Sequence, residues 1–433
     1  MHPPLVLIPQ FFGSLVFCRR DARYFPFDRE STELLRQLRV HRIDQVLAEE
    51  GLCESRREEI CRFYDFFESQ AWFTPEGRFA AEMLDVEPPA DHMVGPLAVH
   101  LEVTDQCNLA CSHCFAGRSP QELSTSAPLS LAKIDRLFGE LAGIGSFRVG
   151  LTGGEPFLRE DLLEIIDSAL AHRLHPCLTT NGLLITDTLA RQLARRAPLR
   201  LSVSLEGATA EANDAVRGRG TFEQVLHRLR HLRRHHVPFG LSFTLTRSNT
   251  DQVEQCAALA RQCGAEVAVF RPLYPVGRAF DSLDRMPTYD QYADALKRLA
   301  VSAAEAGTLQ SIDPFSPEIR GHTSARIYGG PGCGAGTLVA SVSVDGHVSP
   351  CSFLGSMSGS GSLRDSTFSE IWHSDESFVR MRAKGAAGGF SGGCRARALA
   401  LHGDIDATDP WYDEYLKRHT EAFLPQTVCE VTI

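Results

Sequence analysis

Between residues 97 and 280 the chain switches six times between strand-like and helical stretches. The strand candidates are LAVHLEVT (97–104), FRVGLT (147–152), HPCLTT (175–180), RLSVSLE (200–206), FGLSFTL (239–245) and EVAVFRPL (266–273). Helical stretches such as 129–144 and 159–173 fill the gaps. Strands joined by helices pair in parallel, because a parallel neighbour needs a crossover that returns the chain to the same end of the sheet. The fold class is therefore α/β. A doubly wound sheet and an open barrel both fit this pattern; the expectation is a partial (β/α)6 barrel over residues 95–309.

The flanks read differently. Residues 1–94 open with β-type runs at 5–9, 14–19 and 23–28 separated by turns, and three helical stretches follow. The Pro-rich, polar MLDVEPPADHMVGP (83–96) reads as a linker. Residues 310–433 are rich in Gly and Ser, with a hairpin expected at Asp345-Gly346. At 433 residues the chain exceeds one ordinary domain. Its net charge of −10 argues against a nucleic-acid partner. No apolar run reaches the roughly 18 residues of a membrane span, and no signal peptide is read, so the expected location is cytoplasmic.

Thirteen cysteines in such a chain point to metal or redox chemistry rather than disulfides. Cys18, Cys53, Cys61, Cys177, Cys256 and Cys263 sit in apolar or helical patterns and read as packing residues. Cys107, Cys111 and Cys114 are different. They crowd DQCNLACSHCF, directly after the first barrel strand, at the end where barrel active sites lie. Close thiolates suit soft metals. A closed zinc site wants four ligands, and no second CxxC follows at zinc-ribbon spacing. An iron–sulfur cluster held by three cysteines would keep one iron open.

Further elements follow in order: LTGGEPFLR (151–159), TTNGLL (179–184), SVSLEG (202–207), AVRGRGTF (215–222) and FRPLYPVGRA (270–279). With CxxxCxxC they make residues 97–290 resemble the radical S-adenosylmethionine (SAM) enzymes. His113 fills the aromatic place in that signature, and Glu206 stands where Asp is more usual. The resemblance implies a [4Fe–4S] cluster on the three cysteines, with SAM as the fourth ligand. It implies that Gly153 and Gly154 let the backbone approach the methionyl amine. Glu155 would accept from that amine, within an element that continues to Pro156. Asn181 would lie in the element after the third strand. Ser204 would meet the ribose or carboxylate, Glu206 the ribose, Arg217 the carboxylate, and Arg271 would lie near adenine. Glu206 and Arg217 also read as ordinary solvated charges.

Cys333 and Cys351, with a hairpin between them, and SGGCRARALALHGDIDATDP (391–410) resemble the SPASM or twitch extension of radical SAM enzymes. Ser391 stands where the full SPASM pattern has Cys. The resemblance implies one auxiliary [4Fe–4S] cluster on Cys333, Cys351 and Cys394. Cys429 is either its fourth thiolate or a free thiol. Asp404, Asp406 and Asp409 read as a solvated acidic stretch. Residues 1–94 resemble the winged-helix-like PqqD-type module, which takes leader segments of ribosomally made peptides by strand addition. The expectation is a radical SAM oxidoreductase that oxidatively modifies a precursor peptide, most simply by a thioether or carbon–carbon crosslink. Flavodoxin or ferredoxin would be its reductant. The alternatives are an enzyme acting on a haem-like tetrapyrrole, or a non-catalytic iron–sulfur scaffold or redox sensor.

Overall fold

A computed structural model describes residues 4–48, 52–117, 127–306, 310–312, 333–355, 360–386 and 393–418. The expected Cys429 and Ser391 lie outside these.

The N-terminal unit is a meander of β1 (Leu5–Gln10), β2 (Gly13–Cys18) and β3 (Arg23–Asp28), then helices Arg29–Val40, Ile43–Leu47 and Glu54–Ser69. Asp28 ends β3 and caps the first helix, its carboxylate accepting from the Ser31 amide. A fourth strand, β4 (Ala81–Met83), returns parallel to β1 and completes the order β3-β2-β1-β4. The sequence reading missed it, because three residues carry almost no periodic signal. Every residue of β1 is buried. Val6, Ile8, Leu15 and Phe17 face the barrel core, while Leu5, Leu7, Val16 and Cys18 face the unit's own helices. The sheet is thus apolar on both faces and sandwiched. The Tyr24 hydroxyl joins the two units, donating to Gly145 O at 2.8 Å and accepting from Phe147 N at 2.7 Å.

The expected linker is not a free tether. Met93 and Val94 are buried, Val94 N donates to Gln10 Oε1 at 3.1 Å, and Trp372 Nε1 donates to Met93 O at 2.8 Å. Two apolar residues inside the Pro-rich run anchor it to both flanks.

Six strands follow in parallel and in sequence order: β5 (Ala98–Thr104), β6 (Arg148–Gly153), β7 (His175–Thr180), β8 (Arg200–Leu205), β9 (Phe239–Leu245) and β10 (Val267–Pro272). A doubly wound sheet would reverse its order at a switch point. This one does not, so the open-barrel expectation holds. β11 (Gln310–Ile312) extends the sheet beside β10. At the other edge β12 (Val339–Val342) pairs parallel with β5 and turns into β13 (Val348–Ser349). The expected hairpin therefore exists, with Gly346 at φ +95°, but it continues the barrel sheet.

Alternate strand positions divide cleanly. Val99, Leu101, Val149, Leu151, Leu178, Leu201, Val203, Leu241, Phe243 and Phe270 are buried under the helices. The alternating partners on the concave side, among them His100, Thr152, Cys177, Thr179, Ser202, Ser204, Ser242, Thr244 and Arg271, are polar and not fully buried. Cys177 is thus exposed on the concave face, not packed as expected. His100 and Cys177 flank Gly150 in register, and a Cβ on Gly150 would stand 2.7 Å from the His100 ring.

Phe17 reaches from β2 to Tyr24, Phe147 and His175, with ring centroids 4.7, 4.9 and 5.2 Å apart. Phe17→Ala should cost about 3–5 kcal/mol by urea unfolding, as a buried aromatic truncation does. It should also bring unfolding of the barrel and the N-terminal sheet to lower urea together. A barrel transition left unmoved would mean the shared core is not energetically shared.

Candidate active site

The three-cysteine loop leaves the C-terminal end of β5 and is braced from four sides. Thr104 O and Gln106 O accept from Gly154 N and Glu155 N at 2.8 and 2.7 Å. Asn181 Nδ2, after β7, donates to Asn108 Oδ1 at 2.7 Å. Ser112 N donates to Val216 O at 3.1 Å, and Arg278 N, after β10, donates to Cys114 O at 3.0 Å. Cys111 is buried, and Cys107 and Cys114 are partly so. Burial raises the Cys107 and Cys111 thiols, and each also feels its neighbouring thiols. Cluster binding here must therefore expel protons.

Gly153 and Gly154 are required by close backbone contacts. A Cβ on either would lie 2.1 Å from a carbonyl oxygen, Thr104 O or Gln106 O respectively. Gly153 also holds φ +128°. What the glycines admit is the cysteine loop itself. Gly277 does the same from the other side, since its Cβ would meet Phe115 O at 2.2 Å. Sequence reasoning quoted the segment around Gly277 without seeing this.

Glu155 is fully buried. Its carboxylate accepts from Thr180 Oγ1 at 2.7 Å, Asn181 N at 2.8 Å and Phe157 N at 3.2 Å. It ties the β6 and β7 ends together beneath the loop, and Pro156 begins the short 3-10 turn that follows. Glu206 is equally buried, so the reading as a solvated carboxylate fails. Its Oε1 lies 3.0 Å from His113 Nε2, 2.9 Å from Arg217 Nε and 2.5 Å from Arg217 Nη2. Burial pushes Glu206 up, but His113 and Arg217 beside it outweigh burial and hold the carboxyl at about 2. Arg217 is half-buried rather than a free surface residue, and its guanidinium pairs with Glu206. Asn213 and Asn249, which the sequence did not single out, fix the Glu206 backbone through Glu206 N (3.2 Å) and Glu206 O (2.7 Å). Ser204 and Arg271 occupy concave-side strand positions that are not fully buried.

The site fits the implied cofactor by what it leaves unpaired. Among the described residues, Glu206 Oε2 and His113 Nδ1 are buried without a partner beside the thiols. Orphaned buried polar atoms cost about 1–3 kcal/mol each, and a polar occupant would satisfy them.

The second cysteine set, Cys333, Cys351 and Cys394, lies in one apolar cluster with Tyr274, Leu354 and Met381. Burial raises Cys394 well above its ordinary value. Asp404 is exposed as expected, but the solvated reading fails for Asp406 and Asp409. Asp409 is buried and pairs with Arg397, while Asp406 pairs with Arg395 and Arg380. The arginines of CRAR interleave with these acids across the helix Arg395–His402. A line of rings joins the two cysteine sets: Phe115, next to Cys114, meets Phe353 at 5.7 Å, and Phe353 stacks on Tyr274 at 4.4 Å. From the concave side His100 Nδ1 reaches Ser352 Oγ at 3.1 Å.

Two substitutions test this geometry. Gly154→Ala should keep the far-UV circular dichroism of the parent yet lose iron and sulfide from the three-cysteine site; full iron content would sink the close-approach argument. Glu206→Gln should destabilise the protein at pH 7 by about 3–5 kcal/mol, as expected when one partner of a buried ion pair is removed. Because the folded value of Glu206 lies below its ordinary 4.5, its contribution is present above pH 4.5 and is lost as pH falls toward about 2. The variant's acid-unfolding profile should be flatter over that window.

The Radical SAM superfamily matches residues 101–260, and the SPASM iron–sulfur cluster-binding domain matches residues 333–395. The chain is 33% identical to the mycofactocin maturase MftC of Mycolicibacterium smegmatis, over 73% of this chain and 82% of that protein. It is 31% identical to the AdoMet-dependent heme synthase of Methanosarcina barkeri, over 73% and 96%. The crystal structure of Streptococcus suis SuiB bound to precursor peptide SuiA superposes with a TM-score of 0.70 at 12% identity, covering 94% of this chain and 98% of that one. Motif order, barrel and kinship agree, and the chain belongs to the radical SAM enzymes that carry a SPASM iron–sulfur domain.

Proposed function

We propose that this enzyme oxidatively modifies a ribosomally made precursor peptide, forming a thioether or carbon–carbon crosslink. The proposed parts are a peptide-recognition unit (1–94), the barrel (95–309) and the auxiliary-cluster region (310–433). Cys107, Cys111 and Cys114 would hold the SAM cluster, and Cys333, Cys351 and Cys394 the auxiliary one. Bound there, the clusters and SAM supply a carbon radical able to abstract a hydrogen atom, together with a one-electron acceptor.

The observation that carries the peptide reading is the N-terminal sheet. β3 is its outer strand, with no strand partner on its far side among the described residues. Such an edge accepts an extended leader by strand addition. The same sheet shares its core with the barrel, so a leader bound there would be held in a fixed relation to the polar concave face. The likeness to a maturase and to a peptide-bound enzyme supports this reading. Its residues would exclude water and orient the substrate: His100, Ser202, Ser242 and Arg271 offer the polar wall, with a reductant of the flavodoxin or ferredoxin type docking outside and no nucleic acid or membrane involved. Among the described residues no helix is long and apolar enough to cross a membrane. Likeness to a heme synthase favours the second reading, a tetrapyrrole substrate in the same concavity.

A crosslink removes two hydrogens from the peptide. Anaerobic co-expression with peptides encoded beside this gene should therefore yield one lighter by about 2 Da, and a Cys107→Ala/Cys111→Ala/Cys114→Ala enzyme should leave it unchanged. If no such peptide changes mass, or gains deuterium in deuterated water, the peptide reading fails and tetrapyrroles become the substrates to assay.

A further inference from the structure

Cys394 sits on a buried ion pair. Its backbone N–H donates to Asp409 Oδ2 at 2.6 Å. The same carboxylate takes Arg397 Nε on Oδ1 at 2.7 Å and Arg397 Nη2 on Oδ2 at 2.6 Å, and Oδ1 also accepts from Trp411 N at 3.1 Å. Asp409 is 0% exposed and Arg397 3%. The guanidinium is held between rings, 4.1 Å from the Trp411 centroid and 5.9 Å from that of Tyr274. A Cβ on Gly393 would lie 2.5 Å from Asp409 Oδ2, so the turn into Cys394 is shaped around this carboxylate.

Stability alone does not account for the pair. Buried ion pairs replaced by well-packed apolar groups are often neutral or better, because desolvation offsets the Coulomb gain. What the pair does have is position: fixed charges of both signs beside a thiol expected to ligate iron. Cluster potentials respond to nearby charge, hydrogen bonding and solvent exposure. We propose that Asp409 and Arg397 are positioning residues for the auxiliary cluster: Asp409 fixes the Cys394 backbone, and the two charges set the cluster's reduction potential against that of the SAM cluster. The inference rests on Cys333, Cys351 and Cys394 being the auxiliary ligands.

Reduction adds negative charge. Removing the Asp409 carboxylate should therefore ease reduction, and removing the Arg397 cation should hinder it. The test uses the full chain carrying Cys107→Ala/Cys111→Ala/Cys114→Ala, so that only auxiliary iron remains, reconstituted with iron and sulfide. Electron paramagnetic resonance would follow a redox titration. The expected order of midpoint potentials is Asp409→Asn above the parent and Arg397→Met below it, with Arg397→Lys restored toward the parent. Full iron content with all potentials unchanged overturns the proposal, as does a Lys variant displaced as far as Met. A folded Asp409→Asn protein that loses auxiliary iron supports the positioning role, provided Arg397→Lys retains both iron and potential. Cys394→Ala separates the two failures: full auxiliary iron without Cys394 would mean that the ligand assignment itself is wrong.

Discussion

Two backbone amides, those of Gly154 and Glu155, donate to the carbonyls of Thr104 and Gln106, and no side chain fits between the strands at that point. This contact sets the height and tilt of the cysteine loop above the barrel. Everything else at the site is arranged to keep it there. Glu155 turns beneath the loop and fastens the end of β7, Asn181 reaches back to Asn108, and Gly277 closes the far side against Phe115. A three-thiol site has too few covalent anchors of its own to resist distortion in the absence of metal, so backbone contacts supply the rigidity.

The buried charges follow a second logic. Glu155, Glu206, Arg397 and Asp409 lie out of water, Arg217 is half-buried, and each has hydrogen-bonding partners in place. Satisfied networks rigidify a site, while unsatisfied ones are costly. Among the described residues, Glu206 Oε2 and His113 Nδ1 are buried next to the thiols without a hydrogen-bond partner.

The N-terminal sheet is part of the scaffold rather than an appendage. Because β1 and β2 bury both faces, one against their own helices and one against the barrel, the unit has no independent orientation. The same economy appears at the C-terminal side, where β12 and β13 lengthen the barrel sheet and carry Cys351 to its rim. Both flanking units therefore meet the barrel through sheet.

The residue pattern by itself determined the barrel, to within a residue or two per strand, because alternating strand and helix periods leave few topologies. It also singled out the two cysteine sets, because residue type and spacing are local properties. It was silent on partnership. Asp409 looked like a solvated acid, Glu206 like a ribose contact or a solvated acid, Cys177 like packing, and 83–96 like a loose linker. Each was decided by residues distant in the chain: Arg397 for Asp409, His113 for Glu206, the concave curvature of the sheet for Cys177, Trp372 and Gln10 for the linker. Burial and ion pairing depend on what the fold brings within a few ångströms. Periodicity and spacing depend only on neighbours along the chain, so the first needed the tertiary structure and the second did not.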